Sequence, residues 1–173
     1  MARATYKSSI IPLMPTTIKK ITYPTPELFD IIKSFYLGLQ MGEHEFESNR
    51  DITEAQAELM FQEYVKTSQE NSSYEYYIAF TEGVPSGFIE FSSEDEIENT
   101  YKKYLRVNSV YVDNNFRNQG IATELLKTAD DRARELGFTY VGLGVLYKNS
   151  PALNLYKKFG FGEYGIELMK PVK

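Results

Sequence analysis

Two stretches of this 173-residue chain carry glycine, polar and aromatic residues at spacings that could do chemistry. The first, "VYVDNNFRNQGIATELL", leaves a strand-like segment at Val112, crosses a polar loop and enters a helical pattern near Gly120. Ile121, Leu125, Ala129, Ala133 and Leu136 recur at helical spacing on one side. The first backbone amides of a helix have no intrahelical partner, and the helix dipole adds roughly half a positive charge at that end. Such a turn is a ready anion site. Gly120 lets a ligand approach the backbone closely, Ala122 keeps the turn uncluttered, and Arg117 adds a permanent cation. A P-loop requires Gly-Lys-Ser/Thr, which the chain lacks. An ordinary strand-to-helix turn with a solvated arginine fits the same residues.

The second stretch, "NSPALNLYKKFGF", reads as a helix with Ser150 as cap, Pro151 in its first position and Gly160 as its end. Ala152, Tyr156 and Phe159 lie along one side, and on spacing alone Tyr156 reads as a core aromatic before it reads as a catalyst. It overlaps "GFGEYG", residues 160 to 165, which fits the dinucleotide fingerprint G-x-G-x-x-G. That fingerprint needs a helix after it and an acidic residue about twenty positions on. Here a helix precedes it and only a short strand follows, so it is a decoy, and Gly160 is the left-handed residue that ends the helix.

The elements that must position these loops follow from periodicity. "TIKKI" reads as a short strand, and "TPELFDIIKSFYLGL" as a helix with Thr25 as cap and Leu28, Ile31, Ile32, Phe35 and Leu39 on one face. "DITEAQAELMFQEYVKTSQ" is a second helix, with Thr53 as cap and Ala57, Met60, Phe61 and Tyr64 as its stripe. "YEYYIAF", "SGFIEF" and "YLRVNSVYV" are β-branched and aromatic, and form an antiparallel meander. Gly120 to Leu136, "FTYVGLGVL", Ser150 to Phe159 and "YGIELMK" then read as helix, strand, helix and strand, which brings a right-handed crossover and a parallel pair. The architecture is a mixed α+β sheet. Residues 1–173 make one domain, with 1–15 as an irregular lead-in.

Composition narrows the function classes. The chain has no cysteine, which excludes disulfides, thiolate metal sites and a cysteine nucleophile. The single histidine, His44, lies among scattered carboxylates without ligand spacing, so no metal is expected. No run approaches the ~20 apolar residues of a membrane span, and the N-terminal apolar stretch is broken by Pro12, so a cytoplasmic location is expected. Between Met41 and Asn99 there are fifteen acidic and two basic residues, a balance of minus 13, while residues 100 to 173 carry plus 5. That division of sign suits an anionic ligand on the C-terminal half and a cationic one on the middle segment. A net charge of minus 5 and the lack of a basic stripe speak against nucleic acid.

With both motifs in view, "RNQGIA" resembles the R/Q-x-x-G-x-G/A signature of the GNAT superfamily, the Gcn5-related N-acetyltransferases. "NSPALNLYKKFGF" resembles that family's N-x-x-A-x-x-L-Y-x-x-x-G-F segment at Asn149, Ala152, Leu155, Tyr156, Gly160 and Phe161. The resemblance covers residues 74 to 170 well and the two N-terminal helices in outline. It implies a mostly antiparallel sheet with a central, splayed parallel pair, strands four and five, flanked by helices. It also implies acetyl-CoA as acyl donor, its pyrophosphate held by backbone around Arg117, Asn118, Gln119, Gly120, Ile121, Ala122 and Thr123. The backbone of Val110, Tyr111 and Val112 would hold the pantetheine arm and polarise the thioester, and Asn149 and Ala152 would line the cofactor. Gly142 and Gly144 would leave room for the arm, and Tyr156 would be the general acid towards the sulfur. Where some relatives carry a glutamate on the fourth strand, this chain has Arg106 and Asn108; Glu90, His44 and a relaying water are the candidates for base. The acceptor would be a small-molecule amine or a lysine or N-terminal amine of a peptide, attacked directly in a ternary complex and cationic by the charge argument. A homodimer is a further implication. A non-catalytic acyl-CoA sensor on the same fold is the alternative.

Overall fold

The computed structural model describes residues 15–22, 26–44, 46, 52–70, 73–93, 104–165, 167, 168 and 170. Along the chain it forms β1 (Thr16–Ile21), α1 (Pro26–His44), α2 (Glu54–Glu70), β2 (Tyr74–Thr81), β3 (Val84–Ser93) and β4 (Tyr104–Val112). A 3-10 turn (Asn114–Phe116) leads to α3 (Ile121–Glu135), β5 (Tyr140–Leu143) and α4 (Ser150–Phe159). The five strands lie in chain order across one sheet. All neighbours are antiparallel except β4 and β5, which are parallel. β2 and β3 are joined through Glu82 and Gly83, at φ 52° and 82°. Both central residues of a type I′ hairpin turn need positive φ, and that turn's twist matches the strands it connects.

Side-chain alternation sends the two faces of the sheet to different layers. Ile89, Phe91, Leu105 and Val107 pack beneath α3 with Leu125, Leu126, Ala129 and Tyr156. Tyr76, Ile78 and Phe88 pack beneath α1 and α2 with Ile32, Phe35, Tyr36 and Phe61. β3 is therefore buried on both faces, without a break from Ser86 to Ser92. Leu136, assigned by periodicity to the buried stripe, instead stands at the C-terminal cap of α3, 42% exposed. α2 opens with a reciprocal cap: the Gln56 amide donates to Thr53 Oγ1 at 3.3 Å and the Thr53 amide to Gln56 Oε1 at 2.8 Å. The expected Thr25 cap of α1, the lead-in before residue 15 and the acidic run 94 to 98 lie outside the described residues.

The cap of α4 is Asn149, whose Oδ1 accepts from the Ala152 amide at 3.2 Å, and Ser150 is the first helical residue. Among the described residues of 164–170 there is no strand, and Tyr164 and Leu168 are 95% and 89% exposed. A strand is held in register by a buried face, and these side chains bury none. β5 likewise stops at Leu143, well short of the apolar run "FTYVGLGVL".

α1 lies close over the end of β4 because Gly38 has no side chain: a Cβ there would come 2.5 Å from the Tyr111 hydroxyl. Gly38→Ala should gain roughly 0.5–1 kcal/mol in helix propensity and lose about 1–3 kcal/mol to overpacking against a ring wedged beside Phe35. The net expectation is a destabilisation of about 1 kcal/mol in urea unfolding, relieved in Gly38→Ala/Tyr111→Leu.

Candidate active site

β4 is paired on its two edges over different lengths. Its β3 edge is bonded from Leu105 to Val112, but its β5 edge is matched only from Tyr104 to Val107. From Asn108 to Val112 the second edge has no strand beside it among the described residues, so its backbone donors and acceptors there lack a ladder partner. The register with β3 also slips there: Glu90 faces Ser109 and Phe91 faces Val107, a bulge that leaves Asn108 without an opposite number. Gly144 meets nothing within 4 Å where a Cβ would stand, whereas Gly142 makes room for the Tyr104 ring, 2.8 Å from such a Cβ.

The end of β4 is fixed before the chain turns into α3. The Asp113 amide donates to Ser86 O at 3.0 Å, and Asp113 Oδ1 accepts from the Asn115 amide at 2.9 Å. Asn118 and Gly120 take the left-handed region, φ 62° and 82°, and the first intrahelical bond of α3 runs from the Glu124 amide to Gly120 O. The amides of Ile121, Ala122 and Thr123 precede that bond. The carboxylate in the first turn, Glu124, is drawn to Lys127 Nζ at 2.6 Å. This donor set suits a phosphate group. Arg117 is exposed and turned back on the strand: its Nε donates to Val112 O at 3.2 Å and its guanidinium lies 5.9 Å from the centre of the Tyr111 ring. Gln119 Nε2 donates to Asn115 O, while Gln119 Oε1 is buried without a partner among the described residues.

Tyr156 lies on the α3 side of the sheet, 9% exposed, with its ring edge-on to Phe161 at 5.9 Å. Burial, with the Glu43 carboxylate adding to it, pushes its hydroxyl up to about 12, so it stays protonated throughout the neutral range. Val110 and Val112 also pack on this side, whereas Tyr111 turns its ring to α1, so that it could serve a ligand at this edge only through its backbone.

On the other side of β4 an open cleft of about 450 Å³ lies between α1, α2 and the strands. Tyr36 and Gln40 of α1, Met60 and Tyr64 of α2, and Glu90 and Asn108 of the sheet line it. Glu90 is 1% exposed. Its Oε1 accepts from Asn108 Nδ2 at 3.3 Å, and that amide also donates to Ser92 Oγ at 3.0 Å. Tyr64 Oη approaches the carboxylate, yet neither it nor Glu90 Oε2 satisfies hydrogen-bond geometry with any described residue. Burial pushes Glu90 up to about 7, against the opposing pull of Tyr64 and Asn108. Glu75 on β2 shows the contrast. Burial would raise it too, but hydrogen bonds from Arg132, at 2.7 to 3.0 Å, and Lys20 hold it below the ordinary value. Two glutamates one strand apart are thus set to opposite behaviour by the presence or absence of a cation.

Val110 to Thr123 form one continuous edge and turn, and Ala152 and Tyr156 of α4, which Asn149 caps, belong to the same apolar cluster as Val110 and Val112. Asn149 is occupied as a cap. Of the two candidate bases, Glu90 reaches the strand-four position from the neighbouring strand, beside Asn108. The His44 side chain lies outside the described residues. Tyr64 belonged to an apolar helical stripe in sequence and is a cleft residue in structure. A glutamate between apolar residues, as in "FIEF", is the signal that could have marked this face. Among the described residues no acidic or histidine cluster is spaced for a metal, and no helix is long and apolar enough to cross a membrane.

The chain is similar to an uncharacterized N-acetyltransferase of Methanocaldococcus jannaschii, 32% identical over 51% of this chain, a match that spans only 39% of that relative's length. Among solved structures, a putative acetyl transferase from Pyrococcus furiosus superposes with TM-score 0.71 at 18% identity, covering 91% of this chain and all of the other. An aminoglycoside acetyltransferase from an uncultured soil metagenomic sample, in complex with sisomicin, superposes with TM-score 0.64 at 17% identity, covering 91% and 97% of the two chains. The model of the acetyltransferase (GNAT) family matches residues 28–161, and with its parallel β4–β5 pair beside an antiparallel meander the chain belongs to that family.

Proposed function

We propose that the chain is an acetyl-CoA-dependent N-acetyltransferase that acts on an amine by direct attack within a ternary complex. The observation that supports it most is the β4 edge from Asn108 to Val112, without a strand beside it among the described residues and leading straight into the donor-rich turn at Gly120. Amides of Ile121, Ala122 and Thr123 hold the diphosphate, and the open β4 edge holds the pantetheine arm and polarises the thioester carbonyl. The amine nitrogen attacks the carbonyl carbon, the C–N bond forms, and the C–S bond breaks. Tyr156 donates its hydroxyl hydrogen towards the departing sulfur. The acidic segment from residue 41 to 99 attracts an acceptor of positive charge, a trait in keeping with the polycationic ligand of the metagenomic acetyltransferase.

Calorimetry with CoA and acetyl-CoA, followed by thiol release with a panel of amines, tests this reading. Ala122→Asp gives the sharpest contrast. A carboxylate in the first turn favours the helix by about 0.3–1 kcal/mol but repels a phosphate within a few ångströms. The variant should melt no lower than the parent and bind CoA at least ~10-fold more weakly. Equal affinity for CoA in parent and variant, or none in the parent, would sink the proposal. Salt should lower kcat/KM for a dicationic amine and leave a neutral acceptor unchanged.

A further inference from the structure

Resting on the acetyl-transfer reading, the geometry points to Glu90 as the residue that binds the acceptor as an ammonium ion and takes its proton, in a cleft that admits small alkylamines. Three observations converge there. Glu90 is almost completely buried, yet its Oε2 and the nearby Tyr64 hydroxyl have no hydrogen-bonded partner among the described residues. A buried carboxylate oxygen left so is costly, and an ammonium group, with three donors and a charge, is the group that repairs it. Next, Glu90 stands directly opposite Ser109, on the stretch of β4 that has lost β5. Adjacent strands are about 4.8 Å apart, so the Glu90 backbone lies one strand spacing from that of Ser109, and its side chain shares the cleft with Asn108 and Ser109 of β4. Lastly, the cleft of about 450 Å³ falls within the ~300–1,000 Å³ range of small-ligand sites.

The surroundings of Glu90 are aromatic and acidic. Tyr76 faces it across β2, Tyr64 and Glu63 approach from α2, and Tyr36 and Tyr74 complete the wall. The one cation on that face of β4 among the described residues, Arg106, pairs with Ser92 and is exposed, its Nη1 3.4 Å from the Tyr104 hydroxyl. Aromatic faces attract an ammonium group as well as its alkyl arm. The protons balance as follows. The ammonium group gives one proton to the Glu90 carboxylate, the neutral amine attacks, and the nitrogen sheds its second proton as the thiolate gains one. Glu90 then returns its proton to solvent.

The test uses the full chain with acetyl-CoA, n-butylamine and 1,4-diaminobutane as aliphatic acceptors, and hydroxylamine, which is neutral at pH 7.5. In the parent, kcat/KM for the aliphatic amines should rise with pH through neutrality. Glu90→Gln should lose at least ~10²-fold with them near neutrality and keep climbing with pH where the parent levels off, because only the free-amine fraction then reacts, while retaining hydroxylamine turnover within a few-fold and CoA affinity unchanged. Glu90→Asp should recover part of the aliphatic rate. If Glu90→Gln turns over n-butylamine normally, or loses hydroxylamine and n-butylamine alike, the assignment to Glu90 is wrong although acetyl transfer stands. If the parent binds no CoA, the acetyl-transfer reading fails first.

Discussion

Tyr156→Phe is expected to lower kcat by about 10²-fold while the Kd for acetyl-CoA stays within about a factor of two, because general-acid assistance contributes ~10²–10⁴ and the ring itself is kept. The variant separates the two roles that one tyrosine holds. Its ring is a core residue, edge-on to Phe161 and packed with the α3 stripe. Phenylalanine preserves that packing, so the unfolding midpoint should barely move. A hydroxyl held protonated up to about 12 is less acidic than a thiol of about 8.5, so full proton transfer to sulfur is uphill. What it supplies is a hydrogen bond to the charge that develops as the C–S bond breaks. That interaction exists only in the transition state, and its loss therefore shows in kcat and not in KM. Stopped assays of thiol release, with calorimetry on the same preparations, measure both quantities. Unaltered kcat would make Tyr156 a packing residue.

A gain in stability is the second large effect. Glu90 titrates at about 7 in the folded chain against an ordinary 4.5, because it is buried without a cation. The folded state thus binds the proton more tightly than the unfolded state does. Stability falls as pH rises from about 4.5, and the loss is complete somewhat above 7. At 1.36 kcal/mol per pH unit the charge costs about 3 kcal/mol at pH 8.5. Glu90→Gln removes the charge and keeps an oxygen for Asn108 Nδ2, with its new amide beside the Tyr64 hydroxyl. The variant should melt about 6–12 °C above the parent at pH 8.5, and at the same temperature near pH 4. A stabilised but crippled variant is the outcome expected where function holds a buried charge in place. Identical melting curves at both pH values would mean that the carboxylate carries no such burden.

The extent to which the sequence disclosed this site depended on what each signal encodes. α3 and α4 were legible because long apolar stripes, Pro151 and Gly160 are local, and a helix needs only local agreement. The cap slipped by one residue since Asn149 and Ser150 are both good caps, and only the reach of Asn149 Oδ1 to the Ala152 amide decides between them. "YGIELMK" alternates as a strand does, but alternation demands a surface to pack on, which Tyr164 and Leu168 do not find. The bulge at Asn108 is a property of two strands read together and leaves no mark on either alone. The cleft is similar: Tyr64 sits in a helical stripe that would suit a core, and only the crossing of α1 and α2 over β3 opens a space beside it.

The strands meet in the order in which the chain delivers them: β2, β3 and β4 follow one another as a meander, and β1 joins β2 across the two intervening helices. β5 is the one parallel strand and the most briefly paired. It returns only after α3 has crossed the sheet, and four residue pairs join it to β4. Long-range parallel pairing closes late and opens cheaply. The doorway to the donor is therefore hinged on the weakest seam of the sheet, and breathing there costs the rest of the fold little.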